Sequence, residues 1–178
     1  MTFLKDKPFL FFVAKFLLLF ALFYVGTLII IGYAAPGNHY SPFIDHYFDY
    51  VSGLKITLMK GAAFVASLFG YHTVELPGYA VRVPGGRGVL IAMDCVGYGV
   101  MSFWMAFVLA SAGAWKRKLL WLLGGLLFIW ILNVIRIGLF LVALNKGWPM
   151  PLGFDHHTWF NVFAYGGIFF MIWKFGRQ

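Results

Sequence analysis

Cys95, Asn133, Arg136 and the adjacent pair His156 and His157 are polar side chains set inside or at the ends of long apolar runs. Cys95 is the single cysteine of the chain and lies in Ile91-Ala-Met-Asp-Cys-Val-Gly-Tyr-Gly-Val100, where a glycine-marked segment meets an apolar helix expected to start at Cys95. The positive end of a helix dipole favours negative charge there, and thiolate is the nucleophilic form of cysteine. Asp94 works against this. The same cysteine heads a stripe of small residues, Cys95, Gly99, Ser102 and Ala106, so close helix packing is the alternative use of the position. Asn133 and Arg136 are three residues apart and share a helix face. At bilayer depth an arginine costs about 2.5 kcal/mol or more unless it is paired or solvated, which marks it as functional by default; the alternative is a guanidinium that reaches the interface. Asp155-His156-His157 opens the last apolar run, with Asn161 one turn beyond His157. Such a run could ligate a metal, but the other histidines, His39, His46 and His72, show no ligand spacing, and no metal or other cofactor is expected. A proton shuttle fits the histidines better, and Asp155 also suits a helix N-cap. A thiol, a guanidinium and an imidazole on three separate segments make a nucleophile, a cation for thiolate or oxyanion, and a base. The chemistry they imply is acyl transfer: attack on a peptide carbonyl, a thioester, and resolution by water or an amine.

The elements that must position these groups belong to a membrane protein. Of the 178 residues, 62% are hydrophobic, 21% aromatic and only 11% charged, against roughly 25% charged in soluble domains. One cysteine excludes an intrachain disulfide and a cysteine-cluster metal site. The formal charge of +8 is spread too widely for a nucleic-acid face and reads as a topology signal. The fold class expected is an all-α polytopic membrane protein with about four transmembrane helices, an interfacial helix and a short extracytoplasmic β-hairpin, forming a single membrane domain over 1–178. The spans are placed at 9–32, 95–112, 119–144 and 158–173. The first is longer than the roughly 7–15 residues of a signal-peptide core and reads as a retained anchor. Segment 34–93 is extracytoplasmic or interfacial: 54–70 has helical spacing with Lys55 and Lys60 and reads as half-inserted, a full span being the weaker alternative. "VELPGYAVRVPGGRGVLIAM" alternates around Pro-Gly and Gly-Gly turns and reads as a hairpin. Lys5, Lys7, Lys116, Arg117, Lys118, Lys174 and Arg177 then fall on one side, and the acids other than Asp6 on the other. Lys- and Arg-rich loops stay cytoplasmic, so both termini are expected there, in the plasma (inner) membrane, with Cys95 and His157 facing outward.

With these segments in hand, the chain resembles the exosortase/archaeosortase family, in a compact version, over roughly residues 75 to 172. The pattern is Cys-x-Gly at a helix start (Cys95-Val96-Gly97), Asn-x-x-Arg in a following helix (Asn133 to Arg136) and a histidine opening a later one (His157). Val96 stands where many members carry serine, and Asn161 where many carry glycine. His157 is preferred to His156 because its four-residue offset to Asn161 fits the family register. The resemblance implies a membrane-embedded cysteine protease or transpeptidase that cleaves C-terminal sorting signals of exported proteins at the outer membrane face. Cys95 would be the nucleophile, His157 the general acid and base, and Arg136 the stabiliser of thiolate or oxyanion. Asn133 would orient Arg136 or the substrate backbone, with His156, Asn161 and Gly97 in support. The partners implied are exported proteins with a short motif, an apolar helix and a basic tail, together with membrane lipid and no nucleic acid.

Two other functions compete. A helical scaffold or accessory subunit of an export complex would use Arg136 to pair with a partner's carboxylate and Cys95 for packing. A lipid or ion carrier would use Arg136 and the histidines at a water-filled cavity and work without the thiol.

Overall fold

The computed structural model describes residues 7–35, 37, 39–148 and 156–177, with the side chains of these apart from positions 94, 156–161, 163 and 164. The order of elements is α1 (Lys7–Ala34), α2 (Pro42–Phe48), α3 (Tyr50–Leu68), β1 (Val74–Leu76), β2 (Ala80–Arg82), β3 (Gly88–Leu90), a 3₁₀ turn at Met93–Cys95, α4 (Tyr98–Ala110), α5 (Trp115–Lys146) and α6 (His156–Gly176). Among the described residues α1, α3 and α5 are long and apolar enough to cross a membrane. Long apolar helices are the expected form, because lipid offers backbone groups no partner outside the segment. α4, with 13 residues, extends about 20 Å, less than the roughly 30 Å of a hydrocarbon core. The chain is an all-α polytopic membrane protein carrying one small sheet.

Two compact units divide the chain. The first comprises residues up to 49 and 98–127. In it α1 and α4 pack antiparallel through aromatic rings: Phe12 meets Phe107, Phe16 meets Phe103, and Tyr24 stacks on Tyr98 at 5.5 Å. These α1 residues recur every fourth position and so form one face. The opposite face leaves Phe11, Leu18 and Leu22 exposed, as a lipid-facing surface requires. Gly99, Ser102 and Ala106 of the small-residue stripe do pack inward: Gly99 lies beside the Tyr24 ring, and Ser102 and Ala106 are buried. Trp104 is fully buried and donates from Nε1 to the Trp121 carbonyl at 3.0 Å. The Lys118 ammonium donates to the Leu109 carbonyl at the end of α4, which neutralises part of that helix's negative end. α2 begins with a proline in its first turn, where no N–H is needed.

The second unit comprises 50–97 and 128–178. Here α3 and the C-terminal half of α5 run parallel. Trp130 Nε1 donates to Thr57 Oγ1 at 3.1 Å, Gly61 abuts Val134, and Gly138 abuts Val65 and the Ala62 carbonyl. Each pair keeps the same sequence offset, so the helix axes stay in step. A methyl group at Gly61 or Gly138 would overlap the opposing valine, and the glycines set how closely the helices approach. α3 thus begins at Tyr50, four residues before the helical pattern read at 54–70, and packs on α5.

The polar segment after α3 holds three strands in the order β1-β2-β3, one more than a hairpin, because both turn signals are used. The first turn carries Gly78 and Tyr79 with positive φ, and the second Gly85. Tyr79 at φ 66 costs about 1–2 kcal/mol for a residue with a Cβ. Its hydroxyl bonds Ser52 Oγ at 2.7 Å and its ring lies under the buried Lys55 ammonium at 4.8 Å, contacts that offset the strain. Val81 and Val89 form the buried face of the sheet.

The second turn is held to the end of α5 by one side chain. Asn145 Oδ1 accepts from Arg87 N at 2.9 Å, and its Nδ2 donates to Arg87 O at 3.2 Å and to Leu141 O at 2.8 Å. Asn145→Ala removes both bonds to Arg87, each worth about 1 kcal/mol net. Trypsin cleavage of the purified protein after the exposed Arg87 is expected to speed up at least about tenfold, because proteolysis follows local opening; an unchanged rate would show that Asn145 does not hold the turn.

Candidate active site

Cys95 is not the first residue of α4. It closes the 3₁₀ turn, with Cys95 N donating to Ala92 O at 3.0 Å and Val96 N to Met93 O at 3.1 Å. Gly97 follows at φ +75, and α4 starts only at Tyr98. This corrects the expectation of a helix running from 95. A left-handed residue cannot continue a right-handed helix, and Cys-Val-Gly places it two residues after the thiol. The dipole of α4 therefore does not act on Cys95 as it would from inside the first turn.

Two residues of α5 build the rest of the centre. Asn133 is fully buried, and its Nδ2 donates to the Val96 carbonyl at 3.1 Å. One turn further on, Arg136 Nη2 lies 3.9 Å from Cys95 Sγ and donates to it. The Asn-x-x-Arg spacing puts both side chains on one helix face, so a single surface of α5 meets the Cys-Val-Gly turn at two points. Gly97 is needed there for a second reason: a Cβ at that position would stand 2.6 Å from Asn133 Nδ2. Asn133 thus holds the backbone beside the thiol, a role different from orienting Arg136. Its Oδ1 is buried and has no hydrogen-bond partner among the described residues. Cys95 itself is 8% exposed, so its sulfur is shielded from bulk solvent with a guanidinium beside it. At that distance two unit charges attract by about 1 kcal/mol in water and about 4 at an effective dielectric of 20.

The structure brings Cys95, Gly97, Asn133 and Arg136 together. His156, His157 and Asn161 belong to the first turns of α6, but their side chains lie outside the described residues, as do Asp155, the expected N-cap, and the Asp94 side chain. Among the described residues no three His, Cys, Asp or Glu side chains gather as a metal ion would need. Sequence reasoning passed over Tyr79 and Asn145 and read Lys55 only as an interfacial charge; these three side chains anchor the sheet leading into the cysteine turn. Pro77-Gly78 announces the turn at Tyr79. No local signal marks Asn145, whose partner lies 58 residues away.

Fold and site together define a polytopic helical membrane protein whose one thiol is held against an arginine by an asparagine-locked turn. The family model for transmembrane exosortases matches residues 9–174, so the chain belongs to the transmembrane exosortase family. No curated protein and no solved structure matches it.

Proposed function

We infer that the protein is a cysteine transpeptidase or peptidase that cuts C-terminal sorting signals of exported proteins at the outer face of the plasma membrane. The observation that carries this reading is the Arg136 guanidinium 3.9 Å from the Cys95 sulfur, on a turn whose backbone Asn133 holds. A residue there only for packing has no need of a half-buried cation, which is costly in an apolar surrounding.

The chemistry follows from the groups. Cys95 Sγ attacks the scissile carbonyl while His157 takes the thiol proton. Arg136 stabilises the thiolate before attack and the oxyanion after it. Collapse of the tetrahedral intermediate breaks the C–N bond, and His157 returns the proton to the departing amine of the tail. The thioester left on Cys95 is then attacked by an acceptor amine or by water, which gives its proton to His157, and the thiolate leaves. Membrane dimensions support the level of the site. Arg136 lies about 27 Å along α5 from Lys118, close to the roughly 30 Å of a hydrocarbon core. With Lys116, Arg117 and Lys118 at the cytoplasmic surface, Arg136 comes to the outer one. Gly167 of α6 packs on Phe128 and Leu132 of α5. An antiparallel α6 then carries His157, about 15 Å back along the axis, to within about a turn of the Arg136 level. His156 and Asn161 flank it. Substrates are exported proteins ending in a short motif, an apolar helix and a basic tail, the helix lying in the same bilayer.

The test is covalent capture. A tailed exported protein from the same genome, co-produced as a reporter, is expected to accumulate as a hydroxylamine-labile adduct on Cys95 when acceptor amines are withheld. Processing of the reporter with no such adduct, and undiminished after Cys95 is alkylated, would overturn the cysteine mechanism and favour a scaffold.

A further inference from the structure

β3 is an edge strand, paired with β2 alone in the register Ala80↔Leu90, Val81↔Val89 and Arg82↔Gly88. Bonds at the two ends of this ladder define its phase: Ile91 N donates to Tyr79 O at 3.0 Å and Val83 N to Arg87 O at 3.3 Å. Antiparallel ladders alternate bonded and non-bonded pairs. The bonded pairs are therefore Tyr79 with Ile91, Val81 with Val89 and Val83 with Arg87, and the backbone groups of Gly88 and Leu90 point away from β2. The Leu90 carbonyl is taken by Ala92 N at 3.1 Å. Gly88 N–H, Gly88 C=O and Leu90 N–H are left as an outward row with no partner among the described residues. Both residues are exposed, Leu90 at 60%.

An open row of this kind is a template for an extended peptide. The outer edge of β1 offers a similar row at Glu75 by the same count. Continuity distinguishes β3: its chain runs through Ile91 and Ala92 straight into the Met93–Cys95 turn. Leu90 and Cys95 are five residues apart in the chain, so they lie no more than about 17 Å from one another. We propose that the free edge of β3, at Gly88 and Leu90, binds the substrate polypeptide beside its scissile bond as a fourth strand and delivers that bond to Cys95. This rests on Cys95 being the nucleophile. Main-chain bonds then hold the peptide.

Leu90→Pro tests it. Proline removes the outward N–H of Leu90 and costs no bond to β2, since edge strands accept proline on their open side. With the tailed reporter in membranes, Leu90→Pro is expected to lower kcat/KM at least about tenfold, mainly through KM, while Glu75→Pro on the other edge stays within about twofold. Alkylation of Cys95 by a small neutral thiol reagent should be unchanged in Leu90→Pro, which separates lost docking from a damaged site. Should alkylation change, benzoylphenylalanine placed at Leu90 in the Cys95→Ala protein decides: a photocross-link to the reporter next to its cleavage point upholds the proposal. No cross-link to the reporter, or a cross-link to a second copy of this chain, overturns it, as does full processing by Leu90→Pro. In that last case a hydroxylamine-labile adduct on Cys95 would show that the cysteine mechanism stands and only the docking edge is wrong.

Discussion

Cys95→Ala is expected to stop processing of a tailed reporter, and Arg136→Met to slow it, while protein levels in the membrane stay normal. For Cys95→Ala the loss should be complete, because no other thiol exists in the chain. The packing cost is small, since removing one sulfur from a buried site leaves a cavity worth about 1 kcal/mol. Arg136→Met keeps most of the side-chain volume and removes the charge. The interaction lost is about 1–4 kcal/mol at the observed 3.9 Å separation, which predicts a drop of about fivefold to a thousandfold. The same substitution should slow alkylation of Cys95 by a neutral reagent, a readout that needs no substrate. Arg136→Lys should recover part of both rates: it restores a cation but not the planar fork that reaches the sulfur. Full processing by Cys95→Ala would exclude thiol chemistry outright. Normal alkylation in Arg136→Met would show that the guanidinium does not act on the sulfur.

Gly97→Ala should be nearly as damaging, although no reacting atom is touched. The residue sits at φ +75, where a Cβ costs about 1–2 kcal/mol. That Cβ would also stand 2.6 Å from Asn133 Nδ2, so the bond from Asn133 to Val96 O must lengthen or break, at about 1–3 kcal/mol for buried groups. The turn carrying Cys95 then shifts against Arg136. A displacement of about 1 Å at a reacting group can cost on the order of a hundredfold in rate, and a loss of that size in reporter processing is expected. Stability measured by thermal unfolding in detergent should fall as well. A double-mutant cycle isolates the contact. Asn133→Ala alone should destabilise, because it leaves the Val96 carbonyl unpaired, yet combined with Gly97→Ala it should cost less than the sum, since the clash has gone. Strict additivity would show that the two side chains do not meet.

How much of this was written in the sequence depends on the range over which each interaction acts. The apolar runs that become α1 and α5 are legible because lipid demands long internally bonded segments, and twenty or so neighbouring residues carry that demand together. Asn133 and Arg136 share a face for an equally local reason, the helical repeat. The Pro-Gly and Gly-Gly pairs announce both turns of the sheet, and reading them as one hairpin missed the third strand only because two turns were merged. Gly97 was visible as a glycine beside the cysteine, but its left-handed backbone was not, since many glycines in helical runs are ordinary packing positions.

The sequence by itself determined a membrane protein with a thiol, an amide and a guanidinium at fixed local spacings, because composition and periodicity act between near neighbours. Only the tertiary structure decided that Asn133 grips the Val96 carbonyl 37 residues away and that Arg136 reaches the sulfur 41 residues away. It also decided that α3 lies parallel to α5 through Gly61 and Gly138, and that Tyr79 accepts a strained backbone over Lys55. Such pairings are chosen by shape and burial among segments distant in the chain, where one small residue or one buried amide sets the approach, and no local pattern records which distant partner it meets.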